Sequence, residues 1–245
     1  MSPILPDTLA VVFIASFPAG PWQTNCYLVA TEPGAECVVI DPGMDALDGV
    51  ADLVAEHHLK PVAVLLTHGH LDHTFSVTPL CAGNGAACWV HTDDRLLLSD
   101  PFRAMGPDTR DLVRRLSGRT TFTEPDEVRE LTDGSQVDVA GLRFGALHAP
   151  GHTPGSTMFR TDHPDERVDS VVFAGDVLFA GSIGRTDLPG GSHADMLDSL
   201  RTKVLPLPDS VAVLPGHGPQ TTMARERAQN PYLQPSQLQA PSSEE

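Results

Sequence analysis

Basic residues are scarce in this sequence: 16 Lys and Arg stand against 32 Asp and Glu among 245 residues, a formal charge of −16. That balance lacks the positive footprint of a protein that binds nucleic acid or anionic membranes, so neither partner is expected. Long apolar runs are missing too. The longest candidate, Leu9 to Ala15, falls well short of the roughly 18 residues that cross a bilayer. It has the length of a short signal core, but no Lys or Arg precedes Lys60. The basic region of a secretory or mitochondrial presequence is therefore absent, and a cytoplasmic location is expected. Cysteine is sparse, and Cys26, Cys37, Cys81 and Cys88 show no C-x-x-C spacing. Free buried thiols are expected, not a disulfide framework or a thiolate metal site.

What is present is enough apolar material, 40% of residues, to bury a substantial core. Short β-rich runs punctuated by Gly and Pro are expected at Val11–Ala15, Cys26–Ala30, Cys37–Asp41, Val62–Leu66 and Ala86–Val90. A second series follows at Glu127–Leu131, Val137–Val139, Leu142–Leu147, Ser156–Thr161, Ser170–Ala174 and Val211–Leu214. In Met44–His58 the residues Leu47, Val50, Leu53 and Val54 recur at helical spacing and predict one buried stripe. Asp93–Leu116 has helical periodicity and is expected to cover one side of the core. Ser192 with Asp195 resembles a capping box opening a helix at His193–Lys203. Two strand-rich halves with helices imply two packed sheets covered outside by helices. The folded unit is expected over 1–233, and the Pro-, Ser-, Gln- and Glu-rich tail 234–245 is expected to be disordered.

The chemistry concentrates after an apolar strand, where Thr67-His68-Gly69-His70-Leu71-Asp72-His73 puts four metal-type side chains into six positions. His68 and His70, two apart in extended backbone, project to one side. Asp72 and His73 fall in the following tight turn or first helical turn, where neighbours diverge and can serve different ions. Gly69 is expected to let the backbone bend between the imidazoles. Three more residues lie singly at strand ends: His152 in the turn Pro150-Gly151-His152-Thr153-Pro154-Gly155-Ser156, Asp176 in Gly175-Asp176, and His217 between Gly216 and Gly218. Each alone reads as a loop or capping residue, but their shared placement at strand ends allows them to converge.

This ordered series, T-H-x-H-x-D-H, P-G-H-T-P-G-S, G-D-x-L-F (Gly175–Phe179) and P-G-H-G (Pro215–Gly218), resembles the metallo-β-lactamase superfamily from about Asn25 to His217. Within it, the chain is similar to the glyoxalase II (hydroxyacylglutathione hydrolase) group in a short form. The resemblance implies a four-layer αββα sandwich with the metal site at the strand ends between the sheets. It also implies two divalent ions, zinc foremost with iron or manganese as options. His68, His70 and His152 would hold one and Asp72, His73 and His217 the other, with Asp176 bridging. Asp72 and Asp176 would serve catalysis as well, and Asp41 in Asp41-Pro42-Gly43 would support the ligands by hydrogen bonding. The implied reaction is metal-dependent hydrolysis of a small thioester, an S-(2-hydroxyacyl) thiol such as S-lactoylglutathione, by activated water. A thioester suits this chemistry because its leaving thiol has a pKa near 8.5. Alternatives are a persulfide dioxygenase with one iron, a metallo-hydrolase of another ester or lactone, a binding protein that kept the fold, and a nucleic-acid-processing enzyme.

The segment Gly181–Gly191 resembles the short bacterial members of the group. Arg185 is expected either to contact a substrate carboxylate or to pair with Asp187. Only 28 residues follow His217, too few for the helical domain that contributes glutathione contacts in the longer glyoxalases, so the thiol carrier is expected to be loosely held. His148 is expected to be a packed histidine, His57 and His58 to end a helix, and His91, His163 and His193 to lie in loops.

Overall fold

The computed structural model describes residues 12–165 and 168–238. Its first half runs β1 (Phe13–Ala19), β2 (Thr24–Ala30), β3 (Glu36–Ile40), α1 (Ala46–His57), β4 (Lys60–Leu65), α2 (Leu71–Thr74), α3 (Val77–Asn84) and β5 (Ala87–His91). After 3-10 turns at Thr92–Leu98 and Pro101–Ala104 come α4 (Pro107–Ser117) and β6 (Val128–Leu131). The strands form one sheet in the order β1-β2-β3-β4-β5-β6, parallel from β3 onward. The second half supplies β7 (Gln136–Val139), β8 (Leu142–His148), β9 (Thr157–Asp165), β10 (Val168–Gly175), α5 (His193–Ser199), β11 (Val211–Pro215), β12 (Thr221–Thr222), α6 (Met223–Gln229) and α7 (Pro235–Leu238). Its sheet has the order β12-β11-β10-β9-β8-β7, antiparallel except for β10 and β11.

Side-chain alternation explains the four layers. In β2, Tyr27 and Val29 join the core between the sheets, whereas Cys26, Leu28 and Ala30 join the layer beneath α1 and α3. In β10, Val171 and Phe173 point inward, while Val172 and Ala174 meet α5 and α6. Strands buried on both faces read as unbroken apolar runs, which is why they stood out in the sequence. Phe144, Phe159 and Phe173 are fully buried between the sheets, and each such side chain stabilises the fold by roughly 1.5–3 kcal/mol. The architecture is the expected αββα sandwich.

Some local expectations change. The buried stripe of α1 centres on Ala46, Val50 and Leu53; Leu47, turned about 100° from Ala46, is exposed. The helix expected over Asp93–Leu116 is broken into three pieces, the second and third starting at Pro101 and Pro107. A proline lacks the backbone N–H and disfavours helix in the residue before it. The segment covers the core in part: Leu97, Leu98, Ala104 and Val113 are buried, whereas Leu96, Leu112 and Leu116 are exposed. His163 lies in β9, buried His91 ends β5, and His193 opens α5, so none of the three sits in a loop. Ser192 does cap α5, its hydroxyl accepting the Asp195 N–H. Within the tail expected to be disordered, Pro235–Leu238 forms α7 with Leu238 buried; 239–245 lie outside the described residues, as does the start of the apolar run at Leu9. Among the described residues no helix is long and apolar enough to cross a membrane.

Candidate metal centre

The loop leaving β4 and the ends of β8, β10 and β11 meet at one edge of the sandwich, between the sheets. There, ligand atoms of His68, His70 and His152 lie within 4.8 Å of one another, as do those of Asp72, His73 and His217, and those of His68, His73 and Asp176. Asp72 Oδ2 is 3.2 Å from His217 Nε2 and 3.5 Å from His73 Nε2. Asp176 reaches both sides: Oδ1 is 3.5 Å from His73 Nε2, and Oδ2 is 3.5 Å from His152 Nε2 and 3.6 Å from His217 Nε2. All seven residues singled out in the sequence are thus brought together.

The surroundings decide where each imidazole holds its proton. Asp41, itself buried, accepts from the Thr67 N–H (2.8 Å) and the Thr67 hydroxyl (2.6 Å), and faces His73 Nδ1 at 2.9 Å. It therefore holds the Nδ1 proton of His73 and leaves Nε2 toward the centre. With the Thr67 hydroxyl donating to Asp41, its oxygen is left to accept from His68 Nδ1, 3.1 Å away. The carbonyl of Arg185 takes the Nδ1 proton of His152 (2.7 Å), and that of Trp22 takes the Nδ1 proton of His217 (3.1 Å). Four rings thus present Nε2. His70 differs, its Nδ1 lying 2.8 Å from His152 Nε2.

The donor set suits divalent cations. His68 Nε2, His70 Nε2 and Asp176 Oδ1 are buried without a hydrogen-bond partner, an arrangement too costly to retain for packing alone. Burial pushes the His68 pKa down, and burial together with His152 lowers that of His70 to about 3, so both are neutral donors. Burial also disfavours charge on His73, but Asp72, Asp176 and Asp41 outweigh it and raise its pKa to about 10. Burial opposes ionisation of Asp72, yet His73, His217 and His70 hold its carboxyl well below the usual range. The carboxylates thus draw positive charge to the centre.

Close backbone approaches build the cluster. A Cβ on Gly216 would sit 2.3 Å from Asp176 Oδ1 and 2.7 Å from His73 Cε1. Gly69 serves a different purpose from the bend expected: a Cβ there would meet the Leu97 side chain at 2.8 Å and the Asp94 carbonyl at 3.0 Å. Sequence reasoning missed Asp94, which is fully buried. It accepts from the Gly69 N–H (2.8 Å), the Gly155 N–H (2.8 Å) and the Thr153 hydroxyl (2.6 Å), tying the His68–His73 loop to the turn that carries His152. Its only sequence signal was an Asp pair, Asp93-Asp94, just after a strand.

Glu226 and Asn230 were missed too. Buried Glu226 accepts from the Gly181 N–H (2.7 Å), the Asn230 amide (2.9 Å) and the Thr221 hydroxyl (2.6 Å), and the Asn230 amide also donates to the Ser182 carbonyl (3.0 Å). Together they hold the loop whose Arg185 carbonyl orients His152. The Arg185 guanidinium itself makes a two-pronged pair with Asp187 at 2.7 and 2.8 Å. His148, as expected, is packed: it stacks on His91 with centroids 3.9 Å apart and donates from Nε2 to the Pro154 carbonyl (2.8 Å). All four cysteines are free and buried.

The centre floors a cavity of about 490 Å³ with Trp22, Phe179, Ile183, Leu188 and Met105 on its walls. A cavity of this size suits a small molecule with an apolar portion.

A family model described as "Metallo-beta-lactamase superfamily" matches residues 19–217. An uncharacterized protein of Mycobacterium tuberculosis (strain ATCC 25618 / H37Rv) is 43% identical over 224 residues, 91% of this chain and 98% of that one. The hydroxyacylglutathione hydrolase GloC of Haemophilus influenzae is 35% identical over 222 residues, 90% of this chain and 97% of its own. Among solved structures, BLEG-1, a B3 metallo-beta-lactamase, is similar with a TM-score of 0.75 at 37% identity, covering 90% of this chain and 99% of that one. TTHA1623 in a di-iron-bound form has a TM-score of 0.70 at 37% identity and covers 90% of this chain and all 100% of its own. With the αββα layers, the cluster of histidines and aspartates between the sheets and a family match over most of its length, this chain belongs to the metallo-beta-lactamase superfamily.

Proposed function

We propose that the protein is a thioesterase resembling glyoxalase II, which hydrolyses S-(2-hydroxyacyl) thioesters of a small thiol at a centre for two divalent metal ions. The observation that carries this reading is the pair of donor clusters joined by Asp176 on the floor of one cavity, with buried unpartnered atoms on His68, His70 and Asp176. His68, His70 and His152 would hold one ion and Asp72, His73 and His217 the other, with Asp176 serving both. When bound, the ions supply Lewis-acid activation of water and positive charge for a tetrahedral oxyanion. Asp41, the Arg185 carbonyl and the Trp22 carbonyl hold the Nδ1 protons of His73, His152 and His217 and keep their Nε2 atoms available. Trp22, Phe179 and Ile183 exclude bulk water around an acyl group.

The cavity wall also bears on the choice between the activities that the names of relatives carry. Apart from the seven centre residues, its described lining offers only Thr109, Ser182, Arg185 and the Trp22 indole as polar side chains. None of these protonates a leaving nitrogen at neutral pH, whereas a thiolate departs without a proton. Hydroxyacyl thioesters therefore suit the site better than β-lactams. Two complete clusters likewise favour two ions over the single iron of a persulfide dioxygenase. Zinc is the proposed metal, and the di-iron form of one structural relative makes iron the first alternative to assay.

The test loads the purified protein separately with zinc, iron and manganese, counts metal per chain, and compares S-lactoylglutathione, a β-lactam and a persulfide with oxygen uptake recorded. Two ions per chain with lactoyl thioester as the best substrate is the expected result. Full activity with one iron, or a β-lactam specificity constant above every thioester, overturns it.

A further inference from the structure

We propose that a groove beside α4 seats the anionic end of the thiol carrier on Arg110 and Arg114, an inference that rests on the thioesterase reading. Five of the sixteen cationic side chains of this acidic protein fall within residues 103–119: Arg103, Arg110, Arg114, Arg115 and Arg119. Arg110 and Arg114 are one helical turn apart and so share a face of α4. Both line a groove of about 380 Å³ together with Met105 and Asp111. Met105 also lines the cavity over the metal centre, as does Thr109, the residue before Arg110. One continuous surface thus runs from the Nε2 atoms of the centre, past the Met105 side chain, to two guanidinium groups.

The groove is partly ordered in advance. Arg110 donates to the Phe102 carbonyl (3.2 Å), and its guanidinium lies 5.5 Å above the Phe102 ring. Arg114 is 3.5 Å from Asp111 Oδ1, a long contact that a better-placed carboxylate or phosphate can replace. On the other cavity wall Arg185 is already engaged by both oxygens of Asp187. In a chain of net charge −16 an incoming anion is repelled at long range, so local cations near the cavity mouth have a disproportionate effect on where it settles. The geometry therefore assigns the acyl group to the apolar cavity, the thioester sulfur to the passage by Met105, and a carboxylate or phosphate of the carrier to α4. Such contact is the same in the ground and transition states, so it acts on KM and leaves kcat in place.

The test measures dissociation constants on the metal-loaded protein through the emission of Trp22, using three thioethers that cannot be hydrolysed: S-methylglutathione, S-methyl-4′-phosphopantetheine and neutral S-methyl-N-acetylcysteamine. The double variant Arg110→Gln/Arg114→Gln is expected to weaken both anionic ligands about tenfold, with the neutral one unchanged, and high salt should reproduce the loss in the wild type. Whichever anionic thioether binds more tightly distinguishes a carboxylate carrier from a phosphate carrier. With S-lactoylglutathione the same variant should raise KM by a similar factor and keep kcat within about twofold. Equal weakening of the neutral ligand, no weakening of the anionic ones, or a loss confined to Arg185→Gln overturns the assignment. If no thioester is hydrolysed but anion binding still depends on Arg110 and Arg114, the thioesterase reading falls and the anion groove stands. Both side chains are exposed, and unchanged melting of the double variant verifies the fold.

Discussion

The two sheets supply the centre in opposite ways. The first contributes four donors, His68, His70, Asp72 and His73, from one stretch after β4 that runs from loop into α2, so their mutual placement is largely local. The second contributes His152, Asp176 and His217 from three separate strand ends, which only the register of β8 through β11 brings together. The local donors still lean on one distant support, Asp41, which reaches Thr67 and His73. The dispersed donors draw on several buried polar supports: Glu226 and Asn230 serve this group alone, and Asp94 ties it to the first loop at Gly69.

The largest effect is expected where the halves meet. Among the described residues, Asp176 is the carboxylate that approaches histidines from both clusters, at 3.5 Å from His73 and 3.5 Å from His152. Asp176→Asn keeps the shape and removes the charge that two cations would share. Turnover is expected to fall by about a hundredfold or more, on the order of 3 kcal/mol of barrier, with little change in melting temperature. Steady-state kinetics at saturating metal measures it. Wild-type turnover in the metal-replete variant would reduce Asp176 to a turn residue.

Asp94 tests the link between the halves in a different quantity, stability. Its carboxylate accepts from the first half at Gly69 and from the second at Thr153 and Gly155. In Asp94→Asn one oxygen becomes a donor, and an N–H facing it loses its acceptor. A buried donor left unsatisfied costs about 1–3 kcal/mol, so with the lost charge the variant is expected to be about 3 kcal/mol less stable. In a chain this size that lowers the melting temperature by roughly 6–12 °C. Melting within about 2 °C of the wild type would show that the two halves do not depend on this bridge.

Much of this was legible beforehand, for physical reasons that also mark where legibility stops. Strands such as Val171–Ala174 announced themselves because burial on both faces demands unbroken apolar sequence. The His68–His73 loop did so because its donors are contiguous. Asp94 and Glu226 gave almost no signal, since each is an ordinary acidic residue whose partners lie far off in the chain, Gly155 for one and Gly181 for the other. The sequence allows Arg185 two roles, a substrate contact or a pair with Asp187. Its charge pairs with Asp187, and its contribution to the centre passes through a backbone carbonyl that no side-chain reading could anticipate. The helix expected over Asp93–Leu116 failed at Pro101 and Pro107, where two stop signals in the sequence outweigh the apolar periodicity.

A smaller effect is expected at Asn230, because it supports the centre through two intermediates. Its amide holds the Ser182 carbonyl and Glu226, the loop from there carries Arg185, and the Arg185 carbonyl orients His152. Asn230→Ala should cost about 1–2 kcal/mol of stability and raise KM several-fold, with a kcat loss below about tenfold. If kcat falls as far as in Asp176→Asn, the loop acts on the reacting groups directly and the ranking of donors over supports is wrong.

The smallest effect tests an asymmetry away from the centre. All four cysteines lie in the layer between the first sheet and its helices, and none is in the second half. Burial raises the Cys81 pKa from 9.0 to about 12 and has the same direction for Cys26, Cys37 and Cys88. A thiol whose folded pKa is raised contributes stability that is fully present below its unfolded pKa near 9 and is lost as pH climbs from there toward about 12. Going from pH 8 to pH 9, ionisation of one unfolded thiol removes about 0.3 kcal/mol. Cys81→Ala should therefore show an alkaline decline in stability shallower than the wild type by that amount over this interval, whatever constant offset the lost sulfur adds. The native protein should also react with a thiol reagent orders of magnitude more slowly than the unfolded chain at both pH 8 and pH 9, because reaction requires a thiolate that the reagent can reach. A native rate close to that of the unfolded chain at pH 8 would place at least one thiol in contact with solvent and remove the contrast between the two layers.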